Sequence, residues 1–233
     1  MATNPAGDNI DAVYYRDGVS NDTAMGALLR ARMAMYRLFI DKMRPSPETT
    51  ILDVGVSDDE NDGANFLEKN YPWPGNITCA GLGEGAAVTA RYPEVTFRQI
   101  EPGAPLPFAD DSFDIVCSNA VLEHVGGAEG RRQFLLEQIR VARSVFLTVP
   151  HRWFPVEHHT GLPLLHYAPG LFRKLLRGTR YDHWTHVANV DFIDRDLLLR
   201  EWPTADKPEV MLTGLPLGPF SSNIALVYRK PSA

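Results

Sequence analysis

Cysteine is scarce in this chain, and long apolar runs are missing. Only Cys79 and Cys117 occur, each inside a short apolar stretch and without the paired spacing of a metal-binding motif. That excludes a disulfide framework and suits buried free thiols in a reducing compartment. No stretch approaches the roughly 18 unbroken apolar residues of a membrane span. Positive charge is also in deficit: 23 Lys and Arg stand against 29 Asp and Glu, a net charge of -6. A protein so balanced has no cationic surplus with which to neutralise a phosphate backbone, so no nucleic-acid partner is expected. Met1 to Asp11 carries neither a cationic start nor an apolar core. No secretory signal is therefore read, and a cytoplasmic location is the expectation. Repeats and low-complexity tracts are absent too. What remains is ordinary globular composition, 44% hydrophobic and 22% charged over 233 residues. A single domain of that length buries roughly 70% of its unfolded surface, so it needs no covalent staples.

The apolar pattern gives the organisation. Leu29, Met33, Tyr36, Ile40 and Met43 recur at three or four residues, one face of a helix that Asn21, Asp22 or Thr23 can cap and Pro45 must end. Short β-type runs then alternate with helical ones: 50–55 and 64–70, 77–80 and 85–91, 95–100, 113–118 and 131–143, 144–149. Such alternation predicts an α/β fold with a mostly parallel sheet and crossover helices on both faces. From Pro150 to about residue 190 the texture changes to aromatics, prolines and histidines. This stretch reads as an insertion covering a site. A helix over 191–202 and two β-type runs, 209–213 and 223–229, close the chain, and the glycine and proline breaks over 214–222 predict an antiparallel hairpin. The expected organisation is one domain: an N-terminal lid and helix (1–45), a ligand-binding core (46–149), a cap (150–190), and a final helix with an antiparallel hairpin (191–233).

Three motifs stand in order on this frame. Ile51-Leu52-Asp53-Val54-Gly55 ends a strand in a glycine turn that leads to a helix, where backbone N–H groups can hold a carboxylate or phosphate. About 55 residues later, Leu106-Pro107-Phe108-Ala109-Asp110-Asp111-Ser112-Phe113-Asp114 leads into a buried strand. Then comes Val121-Leu122-Glu123-His124-Val125. In this combination the sequence resembles the class I S-adenosylmethionine-dependent methyltransferases, in particular the methyltransferase type 11 branch. The resemblance implies a seven-stranded sheet whose last strand is antiparallel, and S-adenosylmethionine as cofactor. It assigns Asp53 to the loop and the cofactor's amino group, Gly55 to close backbone approach, and Asn119 to the methionine tail. Tyr14, with Tyr15 and Arg16, resembles an N-terminal lid over the cofactor.

The resemblance has departures. Ser57 and Asp59 stand where the family carries glycines, Gly81 stands where it carries the ribose-binding acid, and Pro102 where it carries an aspartate near adenine. Glu84 and Glu101 are the nearest acidic substitutes. The implied cofactor site is therefore Asp53, Gly55, Ser57, Gly81, Glu84, Glu101, Asn119 and Tyr14. A non-catalytic relative of the same fold is the alternative that the altered loop leaves open. A second alternative is a nicotinamide-dependent oxidoreductase: Gly81-Leu82-Gly83-Glu84-Gly85-Ala86 satisfies a dinucleotide fingerprint, but it sits on the second strand with only a short helix behind it.

Six of the seven histidines, His151, His158, His159, His166, His183 and His186, fall in the cap. Histidine exchanges protons most readily near neutral pH. His124, His151, His158 and His159 are therefore the candidates for orienting an acceptor or taking its proton. Glu157, His158 and His159 could also ligate a metal, but no H-x-x-x-H spacing appears, and no metal is expected. Leu171 to Arg180 is a basic amphipathic stretch that allows peripheral membrane contact. The expected reaction is methyl transfer to a small-molecule or lipid- or sugar-linked acceptor.

Overall fold

The computed structural model describes residues 22–58 and 63–231. Helix α1, Asp22–Met43, leads into strand β1, Ile51–Val54. The alternation continues through α2 (Phe66–Asn70), β2 (Ile77–Gly81), α3 (Ala86–Arg91), β3 (Thr96–Gln99), β4 (Phe113–Asn119), α4 (Gly127–Val141) and β5 (Ala142–Pro150). After the histidine-rich segment, which carries α5 (Pro169–Leu176), the chain ends in α6 (Arg195–Glu201), β6 (Glu209–Leu217) and β7 (Phe220–Arg229). The seven strands form one sheet in the order β3-β2-β1-β4-β5-β7-β6. Pairings among β1 to β5 are parallel, and β7 runs antiparallel to both β5 and β6. This is the fold the sequence predicts.

The central strands are buried on both faces, as parallel strands between helices must be. Successive side chains on β1 therefore enter opposite cores. Ile51 packs with Phe39, Ile77 and Phe146, while Leu52 and Val54 pack with Leu135, Ile139 and Leu198. Asp53 shares the face of Ile51, which aims a carboxyl group at α1. On α1 itself, Ala31, Met35 and Phe39 form the buried stripe at intervals of four. Phe39 meets Phe146 edge-on at 5.4 Å.

The Leu106 to Asp114 motif is explained by structure. Glu137 of α4 accepts the Leu106 N–H at 2.7 Å, and Arg140 donates to the carbonyls of Leu106 and Phe108 and to Asp110. Phe108 packs edge-on against Phe113 at 5.1 Å. The segment is a clamp that fixes the entry to β4.

Several boundaries differ from the sequence reading: the helix expected over 131–143 is Gly127–Val141, the one expected over 191–202 is Arg195–Glu201, and the hairpin differs most. The strands of the hairpin extend to Leu217 and Phe220, and Gly214 and Pro216 mark a bulge between Thr213 and Pro216 instead of the turn. Gly214 has φ +84°, and a Cβ there would lie 2.2 Å from the Ser222 hydroxyl oxygen. Pro216 is tolerated because β6 is an edge strand. The histidine-rich segment has a small core of its own, Phe172, Leu176, Tyr181, Trp184, Val190 and Phe192. Three arginines of α4 and the start of β5 are tied into ion pairs. Arg131 is buried against Glu201 and Asp191, Arg140 pairs with Glu137 and Asp110, and Arg143 pairs with Asp114. Among the described residues, no helix is long and apolar enough to cross a membrane.

Candidate cofactor and acceptor site

The connections reverse direction between β1 and β4, so the carboxyl ends of these neighbouring strands open a crevice at the switch point, where α/β sheets bind ligands. Gly55 sits there with φ +97°. A Cβ at that position would come within 2.1 Å of a Val121 methyl, so only glycine lets the loops after β1 and β4 approach. Two cavities meet at this point and share Arg32, Met35, Gly55, Asn65 and Asn119. The smaller, about 90 Å³, reaches down to Asp53 and Phe146. The larger, about 370 Å³, runs beneath Phe154, Val156 and His158 towards Glu123, His124 and His159.

At the small end, burial raises the Asp53 pKa well above the ordinary carboxylate value, and the neighbouring Glu68 raises it further. Burial likewise raises Glu68, which is 3% exposed and accepts the Cys79 thiol hydrogen at 3.2 Å. The two carboxyls therefore hold protons more tightly than free carboxyls do. Arg32 of α1 lines both cavities, and its buried Nε has no hydrogen-bond partner among the described residues. Thr148 fixes the Asn119 side chain through its carbonyl oxygen at 2.5 Å. Asn65 closes the β1 loop by bonding both the N–H and the C=O of Ser57.

At the large end, Glu123 and His124 lie in a single 3₁₀ turn directly after β4. Burial raises Glu123 to about 7, and neither carboxylate oxygen has a hydrogen-bond partner among the described residues. His124 Nδ1 lies 2.5 Å from the Asn189 carbonyl, and burial lowers its pKa to about 3, so the ring is neutral. His159 Nδ1 lies 2.8 Å from Glu157. Burial lowers the His159 pKa, but the charge and hydrogen bond of Glu157, with Glu123, outweigh it and raise the value overall. For Glu157, burial acts upwards and is overcome by His159 and Thr160, to about 2. Trp184 packs against both the His124 and His159 rings.

Residues 66–145 match a family described as methyltransferase domain. The match spans α2 to β5, including Asn119 and the Glu123-His124 turn. The match covers 80 of the 233 residues (66 to 145), so it is this stretch that resembles a methyltransferase domain. Solved structures share the chain's fold. An S-adenosylmethionine-dependent methyltransferase from Thermotoga maritima is 14% identical with a TM-score of 0.59, over 94% of this chain and 99% of that one. One from Mesorhizobium loti is 16% identical with a TM-score of 0.54, over 84% and 98%. A methyltransferase solved in complex with the Trm112 methyltransferase activator of Haloferax volcanii is 15% identical with a TM-score of 0.58, over 96% of each chain. No curated protein matches the sequence.

The solved structures from Thermotoga maritima and Mesorhizobium loti are S-adenosylmethionine-dependent, and the residues at the small end of this chain fit the amino-acid portion of that cofactor. An orphaned guanidinium Nε on Arg32 suits the carboxylate, and Asp53 beside it suits the ammonium group. Gly55 supplies the cradle that a Cβ would fill. The other end is built differently. Gly81 cannot carry an acid, because a Cβ there would lie 2.7 Å from the Val56 carbonyl oxygen and press on the Phe97 ring. Glu84 and Glu101 are exposed and line neither cavity. The glycine-rich run after β2 has a packing explanation: Gly85, at φ +77°, lies flat on Phe97. The N–H groups of Gly85 and Ala87 at the start of α3 already donate to Asp58.

Of the histidines singled out in the sequence, His124, His158 and His159 gather at the larger cavity. Burial lowers His158 to about 4. His151 is turned to the Ser221 carbonyl at 3.2 Å and does not line the cavity. Ser57 lines the larger cavity, and Tyr14 lies outside the described residues. Arg32 and Glu68 escaped the sequence reading because each sits on a helix far from the strand motif. Only the inward face of β1 could have pointed to them.

Proposed function

We propose that the protein transfers a methyl group from S-adenosylmethionine to a small-molecule or lipid- or sugar-linked acceptor lodged in the larger cavity beneath residues 150–161. One observation carries this reading. The cavity begins at Gly55 and Asn119, beside the amino-acid end of the cofactor site, and ends at a buried polar cluster of Glu123, His124, His158 and His159 under the apolar wall of Phe154 and Val156. Mostly apolar walls with a few convergent polar groups are what a small-ligand pocket requires.

The cofactor supplies an electrophilic methyl group on a sulfonium. The chain's task is to exclude water and hold an acceptor atom in line with that methyl, the kind of positioning that accounts for most of such a rate enhancement. Asn119, fixed by Thr148, orients the cofactor end. The buried histidine and glutamate side chains receive the polar end of the acceptor. The exposed Leu164, Leu171 and Leu175, close in sequence to Lys174 and Arg177, favour a lipid-linked member of the acceptor class.

The test is incubation with methyl-labelled S-adenosylmethionine and a cell extract, followed by fractionation. Label is expected in the small-molecule or lipid fraction. Phe154→Ala should cut turnover about tenfold or more with cofactor affinity unchanged. Label found only in protein or RNA contradicts the acceptor class.

A further inference from the structure

Glu123, His124 and His159 each offer a ligand atom, and these atoms lie within 4.8 Å of one another. Glu123 is 2% exposed, and both of its carboxylate oxygens are buried without a hydrogen-bond partner among the described residues. A carboxylate so placed is costly unless something cationic meets it. The imidazoles around it are held as metal-binding imidazoles are held. The Nδ1 of His124 is committed to the Asn189 carbonyl and that of His159 to the Glu157 carboxylate. Glu157 is fixed in turn by the Thr160 hydroxyl at 2.7 Å and by the backbone N–H groups of His159 and Thr160. Such outer partners set the tautomer and direct Nε2 to the ion. The His124 Nε2 lies 3.9 Å from the Glu123 carboxylate, wider than the roughly 3.3 Å between two ligands of a tetrahedral ion, so a small side-chain adjustment would bring both onto one cation.

We propose that Glu123, His124 and His159 form a binding site for a divalent transition-metal cation of the zinc type, with an open coordination position facing the larger cavity. Two imidazole nitrogens and one carboxylate oxygen suit such an ion, and three protein ligands leave room for a further one. All three side chains line the cavity. An oxygen of an acceptor could therefore take the open position. That role rests on the acceptor reading above, whereas the site itself does not.

The experiment uses the full chain, stripped by dialysis against a chelator, without cofactor or acceptor. Zn²⁺ is titrated calorimetrically, and Co²⁺ serves as a spectroscopic probe. One site is expected, with Co²⁺ giving visible d–d absorption of nitrogen and oxygen ligation that Zn²⁺ displaces. Glu123→Gln and His159→Gln should each weaken binding by about tenfold or more, and Glu157→Gln by about 10 to 100-fold through loss of orientation. His151→Gln, outside the cluster, should leave it unchanged. Absence of a saturable Co²⁺ spectrum in the wild-type protein overturns the proposal whatever the variants do. So does undiminished affinity in a folded Glu123→Gln, His159→Gln double variant. Methyl transfer by metal-free protein would leave the acceptor reading intact and remove only the ion's part in it.

Discussion

The Asp58 carboxylate accepts a hydrogen bond from the Ala87 N–H at 2.9 Å, and with it occupies the N-terminus of α3. Negative charge at this helix end comes from the chain itself, so a pyrophosphate at the fingerprint around Gly81 to Ala86 would have to displace the Asp58 carboxylate. Asp58→Ala should lower stability by about 1 kcal/mol in denaturant unfolding, the usual cost of a lost helix cap, and neither form should bind a nicotinamide dinucleotide. Unchanged stability would show that the carboxylate does not act as the cap.

The raised pKa values of Asp53 and Glu68 give cofactor binding a pH signature. An ammonium group beside Asp53 favours its ionised form and lowers its pKa, so binding should release a proton. Affinity should therefore rise with pH above the ordinary carboxylate range and level off once the pair is ionised in the free protein. Calorimetry in buffers of different ionisation enthalpy measures the release directly. The same shifts affect folding. A raised carboxyl pKa contributes stability at low pH that is lost as pH rises through the folded value, so Asp53→Asn should flatten the pH dependence of unfolding as well as weaken binding.

Gly55→Ala confronts both the positive φ and the Val121 methyl. Overlap at 2.1 Å must displace the loop after β4, which carries Glu123 and His124. Titration of the variant should show cofactor affinity reduced more than tenfold at a stability loss of about 1 to 3 kcal/mol. Near-normal affinity would mean that the two loops tolerate separation.

Arg131 serves as a structural ion-pair centre for Asp191 and Glu201, at 2.7 Å to each. Arg131→Met should cost about 3 kcal/mol in chemical denaturation, the low end for breaking a buried pair because both acids keep some solvent contact. A cost below the error of the measurement would return this arginine to the pool of surface charge.

The sheet was legible from strand runs and their spacing because parallel strands buried on both faces are nearly continuous apolar segments, as in Ile77 to Gly81. Asp53, Gly55 and Asn119 came forward through the family resemblance, and all three line the smaller cavity at the strand ends. Glu123 appeared in the sequence only as part of a motif, and its pairing with His159 did not appear at all. They are 36 positions apart along the chain (159 less 123) and meet because β4 and β5 are neighbours. The histidine-rich segment concealed its core for want of a period, since Phe172, Trp184 and Phe192 come from separate turns around one short helix. Asp58 at the helix end was likewise out of reach, because its partners are backbone groups 27 to 30 residues away.

The central claim is that the cofactor lies across the β1 and β4 ends with its amino-acid portion between Arg32 and Asp53 and its reacting end turned to Glu123, His124 and His159. A crystal structure with S-adenosylhomocysteine tests it most directly. The account predicts the carboxylate at Arg32, the ammonium group at Asp53, and the sulfur at the mouth of the larger cavity beside Asn119. Density for the ligand over Gly83 to Gly85, or a cavity left unentered at saturating ligand, would contradict it.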